Sequence, residues 1–353
     1  MGTARSDMAR ALALAPASPT KTFVLEVHTS DPSEYLAEMV GPSDLEQTSD
    51  AYLYIAHVGD QVFWVDQLDE RFWSFHTDMP AREAGAYLRN HVEQRRDLDW
   101  MWLPSGHLRN AWPNSESRRV RTRFEGAGFL GEDSAARDLR VQLAGRGADH
   151  LLKLIEADES YRSAVSYESV QNTLVDQDLG TLIEGLYRMG RFAAYGDSFE
   201  LHMAFVRAVV TRYRSFVELC ERKAITWSTL GDGGSVVAGG PLVIKFSRPI
   251  ENSVRFVDEL LAVRRPFRLW GIVEFVGDVA QIEAVDLHVG QRLRLDVGRD
   301  WLRVYLERGS CGNTVARLVS NLQHHFDGAL RLLDTELDAA VTAAPTRVAA
   351  IAG

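Results

Sequence analysis

The stretch FRLWGIVEFVGDVAQIEAVDLHVGQRLRLDVGRDWLRVYLE, from Phe267 to Glu307, decides the fold of the C-terminal part of this chain. Turn residues divide it into four runs in which apolar and polar side chains alternate, and this pattern is typical of half-buried antiparallel strands. The sequence therefore predicts four strands, at Phe267–Val276, Val279–Val289, Arg292–Val297 and Trp301–Glu307.

A further strand and two helices flank these four strands. Leu242–Phe246 has the composition of a strand, and Ser247 followed by Pro249 is typical of a helix start, so a helix is expected over about Ile250–Val263. A second helix is expected to begin near Asn313, because apolar residues then recur at helical spacing. The C-terminal unit thus has the predicted order β-α-β-β-β-β-α, with both helices on one face of the sheet.

The length of 353 residues exceeds what one hydrophobic core usually serves, so several units are expected. We expect an α+β protein with several mostly antiparallel sheets, each covered by helices. A glycine-rich stretch marks either a linker or a long hairpin. The predicted divisions are disordered tails at 1–20 and 336–353, an acidic α+β unit at 21–97, an α+β unit at 98–229, the linker at 230–240 and the C-terminal unit at 241–335.

The composition matches an ordinary globular protein, with 46% hydrophobic and 25% charged residues. Cys220 and Cys311 form no CxxC pair, so we expect no disulfide framework and a reducing, cytoplasmic location. The apolar run at 11–15 is too short for a signal peptide or a membrane helix, which predicts a protein without membrane contact.

No cofactor and no metal are expected from the motifs. The chain has no G-x-x-x-x-G-K-[ST] sequence for nucleotide phosphates. His324 and His325 are adjacent and would point in different directions on a helix, unlike an i, i+4 ligand pair, and the other histidines are scattered singly.

The net charge of −10 is unevenly distributed along the chain. Residues 21–97 contain 15 acidic and 6 basic residues, which accounts for nearly all of the excess. The remainder is therefore free to form local basic patches that could bind a polyanion.

One face of the C-terminal sheet is predicted to carry arginine and aromatic side chains. Alternation assigns Val285, Leu287 and Val289 to the face that the helices cover. The opposite face would present Arg268, Trp270, Asp286, His288, Arg292, Arg294, Trp301, Arg303 and Tyr305. Such a face suits packing within the chain, a protein interface or the stacking and phosphate contacts of nucleic acid, and the sequence leaves these alternatives open.

A second basic feature lies at residues 118–124. Strand geometry would place Arg119, Arg121 and Arg123 on one side, with Val120 and Phe124 on the other. This stripe is either a solvated strand face or a phosphate-contacting surface.

Cys311 is the candidate nucleophile, because it lies between a predicted strand and the predicted start of a helix, where a thiol pKa can be lowered. His288 would be its base and Asp286 would orient the imidazole. Ser310 or Asn313 acting as an ordinary helix cap is the competing interpretation.

The sequence favours a non-enzymatic binding or adaptor subunit that engages a protein or a nucleic acid through the arginine and aromatic face. The alternative is a cysteine-dependent enzyme that uses Cys311. The sequence leaves open whether the protein catalyses any reaction. A homo-oligomer is compatible with both hypotheses.

Overall fold

The computed structural model describes residues 4–13, 19–112, 116–131, 134, 137–196, 198–229, 235–262 and 266–344, and all statements of structure refer to these. It confirms the α+β class: helices pack against several sheets whose strands pair mainly antiparallel. Two of these sheets, which we call the N-terminal sheet and the C-terminal sheet, account for most of the strands.

The N-terminal sheet has eleven strands, and its central strand, β1, is buried along its whole length. Strands β5, β6 and β11 all pair with β1, so the sheet is built around it. In chain order the strands are Thr20–Val27 (β1), Leu45–Gln47 (β2), Leu53–Val58 (β3), Gln61–Asp66 (β4), Phe72–Thr77 (β5), Leu98–Trp100 (β6), Glu116–Glu125 (β7), Asp138–Ala144 (β8), Tyr167–Asp176 (β9), Gly180–Tyr187 (β10) and Arg191–Tyr195 (β11).

The C-terminal sheet has six strands in the order β15-β16-β17-β18-β14-β19. A short hairpin, Thr226–Thr229 (β12) paired with Ser235–Ala238 (β13), precedes it where the glycine-rich stretch lies, and residues 230–234 fall outside the described part. The six strands are Leu242–Lys245 (β14), Leu269–Val276 (β15), Val279–Asp286 (β16), Arg292–Val297 (β17), Trp301–Leu306 (β18) and Arg331–Leu332 (β19).

Ten helices surround and separate the two sheets in the described residues. They are Ala4–Ala13 (α1), Pro32–Val40 (α2), Ala81–Gln94 (α3), Ser105–Arg109 (α4), Ala148–Ala157 (α5), Glu159–Arg162 (α6), Phe199–Arg222 (α7), Ser253–Leu261 (α8), Asn313–His325 (α9) and Thr335–Thr342 (α10). None of the described helices is long and apolar enough to cross a membrane.

Helix α9 lies between the two sheets and is buried on every side, with all residues from Asn313 to His324 inaccessible. Its apolar residues, such as Leu318 and Leu322, join the core, as the sequence stripe predicts. Its polar residues meet the segment that follows β6: Ser320 Oγ donates to Leu103 O at 3.1 Å, and Gln323 Oε1 accepts from Ser105 N at 2.8 Å. Hydrogen bonds thus replace the water that these groups lose.

Gly312 permits the start of α9 to approach α7 closely. A Cβ atom on Gly312 would lie 2.2 Å from Val217 O, which no side chain could tolerate. The helix start has no side-chain cap, and Gly312 N donates instead to Glu221 Oε1 at 2.9 Å. Neither Ser310 nor Asn313 therefore has the capping role that the sequence suggested.

The predicted start of α8, at about Ile250, lies too early in the chain. The helix starts at Ser253, because Asn252 Oδ1 accepts from Arg255 N at 2.9 Å and forms the cap. The side chain of Ser247, the predicted cap, instead donates to Asp327 Oδ1 at 2.8 Å. The predicted end at Val263 lies outside the described residues.

The predicted orientation of β16 is reversed. Ala280, Ile282, Ala284 and Asp286 face the core, whereas Val285 pairs with Trp270 and Arg292 on the outer side. The reversal places the acid Asp286 inside, which hydrophobic alternation cannot anticipate. In β17 and β18 the leucine and valine residues that alternation assigns to the covered face do face the core: Leu293, Leu295, Val297, Leu302, Val304 and Leu306.

The described parts of both predicted tails contain a helix, α1 at one end and α10 at the other. In α1, Met8 is buried and Arg5 pairs with Asp66 and with Asp50 at 2.7 Å. In α10, Leu337 and Val341 are buried against the core. Strands from both predicted units, 21–97 and 98–229, share the N-terminal sheet.

Replacement of Phe256 by alanine should lower the free energy of unfolding by about 3–5 kcal/mol. Phe256 is 1% exposed, and its ring centroid lies 4.9 Å from that of Phe326. The matched control is Phe275→Ala in β15, where the ring is 45% exposed and the expected change is under about 1 kcal/mol. Chemical denaturation measures both; equal effects would contradict this assignment of the core.

Candidate functional site

A cluster of ionisable side chains joins the N-terminal sheet to the C-terminal sheet. Glu26 and His28 come from β1 and its end, and their spacing of two directs both side chains to one side of the strand. His288 follows β16, and Cys311 immediately precedes α9. Glu26, His288 and Cys311 are buried, while His28 is 33% exposed and forms the solvent side of the cluster.

The four side chains converge on one point. Cys311 Sγ lies 3.4 Å from both carboxylate oxygens of Glu26 and 3.5 Å from His28 Nε2. His288 Nε2 lies 3.1 Å from Glu26 Oε2, and His28 Nε2 lies 3.4 Å from Glu26 Oε1. All four donor atoms lie within 4.8 Å of one another.

Arg71, just before β5, holds Glu26 as a carboxylate. Its Nε donates to Glu26 Oε1 at 2.6 Å, and its Nη2 donates to Glu221 Oε1 at 2.7 Å. Burial alone would raise the pKa of Glu26, but hydrogen bonds from His28 and His288 and the charge of Arg71 hold it well below its usual value. Glu26 is therefore a buried negative charge.

Cys311 is kept as a neutral thiol by the protein alone. Burial raises the pKa of the Cys311 thiol well above its usual value, and the charge of Glu26 raises it further, although Arg71 opposes the change. The nucleophile hypothesis requires the opposite shift. Only an additional positive charge at this point would favour the thiolate.

Asp286 and Asp99 form a second layer of charge around Arg317. The guanidinium of Arg317 donates to Asp99 from the N-terminal sheet, to Asp286 from the C-terminal sheet and to Phe267 O at 2.9 Å. Arg317 and Asp99 are fully buried, and Thr314 donates to the other oxygen of Asp286. This ion triad bridges the two sheets directly.

The structure brings together the three residues of the predicted catalytic set, but with different partners. Asp286 Oδ1 accepts from the backbone N–H of His288 at 2.9 Å rather than from its imidazole, which faces Glu26. Nδ1 of His288 has no hydrogen-bond partner in the described part of the chain.

Sequence reasoning missed Glu26, His28 and Arg71. The available signal was a glutamate inside the otherwise apolar run Phe23–Val27, followed two positions later by a histidine. A charged residue in a buried strand needs a partner, and none is visible locally.

The predicted arginine and aromatic face is divided by the structure. Arg268, Asp286 and His288 turn toward the interior, where Arg268 lies 3.5 Å from Asp99 with a positive φ of 56°. The remaining residues of the predicted set stay on the outer side: Trp270, Arg292, Arg294, Trp301, Arg303 and Tyr305. Trp270 is 50% exposed, whereas the ring of Trp301 is partly covered by Arg303, with 4.3 Å between guanidinium and ring centroid.

The three arginines of β7 have different surroundings. Val120 and Phe124 are buried, so Arg119, Arg121 and Arg123 do point to the other side. Arg121 Nε donates to Gln142 Oε1 at 2.8 Å, and Arg123 pairs with Glu125. Arg119 forms no ion pair with any described residue.

A second histidine group contains Glu125, His324 and His325. The carboxylate of Glu125 is already bound by Arg123 and lies 3.6 Å from Arg140. These two arginines make this group a poor site for a cation.

Comparison with known proteins identifies a family but no activity. A family model described as MJECL33-like protein matches residues 16–340. The uncharacterized protein MJECL33 of Methanocaldococcus jannaschii is 26% identical over 349 residues, covering 87% of this chain and 84% of that protein. No solved structure matches the chain significantly.

Replacement of Arg317 by methionine should lower the free energy of unfolding by about 3–5 kcal/mol, because two buried carboxylates would lose their counter-charge. The matched control is Arg303→Met on the exposed outer face, where we expect a change below about 1 kcal/mol. Urea denaturation measures both variants; a neutral effect of Arg317→Met would show that the triad is not needed for stability.

Proposed function

The chain belongs to the MJECL33-like protein family, and we propose that it is a metal-binding protein in which Glu26, His28, His288 and Cys311 hold one zinc-class ion. The observation that carries the proposal is the convergence of four donor atoms within 4.8 Å, from β1 and its end, from the residues after β16 and from the start of α9. In this proposal the ion clamps the N-terminal sheet to the C-terminal sheet.

The distances between the donor atoms fit a tetrahedral ion. Zinc–ligand distances of about 2.0–2.3 Å place neighbouring ligand atoms of a tetrahedron about 3.3–3.8 Å apart. Of the six ligand pairs, Cys311–Glu26, Cys311–His28 and His28–Glu26 lie 3.4–3.5 Å apart, within that range. His288 and Glu26 lie slightly closer, at 3.1 Å, and the other two pairs lie within 4.8 Å. An ion could therefore enter with small side-chain movements.

The donor set favours a borderline transition metal over calcium or magnesium. One thiol, two imidazoles and one carboxylate are ligands that zinc takes in proteins, whereas calcium and magnesium take oxygen ligands. Four protein ligands in a largely buried position are also the pattern of a structural site rather than of a site with an open coordination position.

The charge balance of the interface supports a cation at this point. The four carboxylates in contact there, Glu26, Asp99, Asp286 and Glu221, exceed the three guanidinium groups of Arg71, Arg268 and Arg317 by one. A divalent ion bound with a Cys311 thiolate would bring the interface to neutrality. A bound ion deprotonates a coordinating thiol, which removes the obstacle that burial poses to ionisation.

Zinc should bind the full-length protein at one ion per chain, and Cys311→Ser should weaken binding by at least about 100-fold. Cys220→Ser is the matched control, because Cys220 is equally buried but lies in α7, outside the cluster. Metal content after dialysis and competition with a chelating dye measure both variants.

Bound zinc should also raise the melting temperature, because an ion that binds only the folded chain stabilises it by about 2.7 kcal/mol at 100 times its Kd. Differential scanning calorimetry with and without a chelator tests this effect. Equal zinc affinity of the two cysteine variants, or no zinc retained by the wild type, would rule out the proposed site. Rapid alkylation of Cys311 in the metal-free protein would favour the thiol-enzyme hypothesis instead.

A second candidate function is partner binding through the outer face of the C-terminal sheet. On this face Trp270 is 50% exposed and Ile272 is 68% exposed, and β15 is the edge strand of the sheet. Both signs of charge occur in one cross-strand row, where Glu283 pairs with Arg294. A mixed-charge apolar face suits a protein more than a nucleic acid, and an edge strand can pair with its own copy. The partner we infer is therefore a second copy of this chain.

The wild type should sediment as a dimer, and Ile272→Lys should shift it to a monomer, because a buried unpaired charge opposes association. The matched control is Val175→Lys in β9, where the side chain is 64% exposed on the N-terminal sheet. Analytical ultracentrifugation over a concentration series measures all three proteins. A wild type that stays monomeric would remove this candidate function.

A further inference from the structure

An arginine-lined cleft lies on the outer side of the N-terminal sheet, at the β7–β11 end. Its volume is about 700 Å³, within the range of small-molecule sites. The nine described residues that line it include three arginines and neither aspartate nor glutamate. These nine are Ser117, Arg118, Arg119, Gly145, Arg146, Gln171, Thr173, Ile183 and Tyr195.

A β-bulge explains why two successive arginines reach the cleft. The pairing of β7 with β9 shifts between Ser117 and Arg119, which leaves Arg118 without a partner in β9. A bulge re-aims the side chains on either side of it, and Arg118 and Arg119 are both exposed. Neither arginine forms an ion pair with a described residue. Both guanidinium groups therefore supply positive charge and N–H donors that an anion in the cleft could use.

The floor and wall of the cleft add neutral hydrogen-bonding groups and one aromatic ring. Gln171 and Thr173 lie on β9, and cross-strand pairing places Thr173, Ile183 and Tyr195 in one row over β9, β10 and β11. Tyr195 is 43% exposed at the end of that row. An exposed ring beside a basic groove is the arrangement on which nucleotide bases stack.

The loop before α5 forms another part of the rim. Gly145 and Arg146 line the cleft, and α5 begins directly afterwards with Gly147 as its N-cap and no side-chain hydrogen bond to the cap. The positive end of the helix dipole favours an anion nearby.

We propose that this cleft binds a phosphate ester that carries a planar base, that is, a nucleotide, either free or within a single strand. Arg118 and Arg119 hold the phosphate through paired N–H donors, which guanidinium groups supply in the required geometry. Tyr195 stacks on the base. This site is separate from the four-ligand cluster and uses none of its residues.

Fluorescence anisotropy with a short fluorescein-labelled oligothymidylate tests the proposal on the full chain, with ATP and inorganic phosphate as competitors. The double variant Arg118→Gln/Arg119→Gln should bind at least about 10-fold more weakly. The slope of the logarithm of its binding constant against the logarithm of the salt concentration should be shallower by up to about two. The matched control is Arg121→Gln/Arg140→Gln, which removes the same charge from β7 and β8 outside the cleft and should bind within about 2-fold of the wild type. Tyr195→Ala should weaken binding by about 5-fold or more.

The competitors identify the source of the ligand. Competition by ATP at an affinity similar to that of the oligonucleotide would identify a free nucleotide, and much tighter binding of the oligonucleotide would identify a strand. Inorganic phosphate that competes as well as ATP would overturn the base-stacking part and with it the proposal. Absence of binding, or equal losses in the two double variants with unchanged melting temperatures, would also overturn it.

Discussion

The buried guanidinium of Arg317 is the interaction on which the arrangement of the two sheets depends. It neutralises Asp99 from one sheet and Asp286 from the other, and all three side chains lie out of contact with water. Buried charges are tolerated only when they are paired and hydrogen-bonded, so each sheet is complete only when α9 supplies this cation. The position of α9 between the sheets is therefore a matter of charge as much as of apolar packing.

A second link runs parallel to the first. Glu26 from β1 is held by Arg71, which in turn binds Glu221 of α7, and the imidazole of His288 closes the connection to the C-terminal sheet. The two links differ in one respect: other donors, among them Thr314 and Arg268, complete the hydrogen bonds of the two acids around Arg317. In the second link, Nδ1 of His288 has no hydrogen-bond partner in the described residues. This difference makes the second link the place where a ligand could add to the interface.

The sequence predicted the parts of the structure that follow from local pattern. The four strands after Phe267 and the apolar stripe of α9 are confirmed, because alternation and helical periodicity report directly on burial. The face of β16 was predicted wrongly because Asp286 pairs with the distant Arg317. The cap of α8 was predicted wrongly because Ser247 contacts the distant Asp327, although the true cap, Asn252, is local. His288 and Glu26 are 262 positions apart, and no local pattern can indicate that they meet. The position of Cys311 before a predicted helix start did point to this region of the chain.

The placement of α9 has a consequence for biosynthesis. Cys311 and Glu26 are separated by 285 positions, and at ordinary translation rates the ribosome needs about 15–60 s to add them. During that interval the acids of the first sheet face solvent or other chains, and the surface that will receive the helix stays open. Contacts of such long range also form slowly. The two sheets can therefore be joined through these contacts only after the ribosome has added Cys311 and the start of α9.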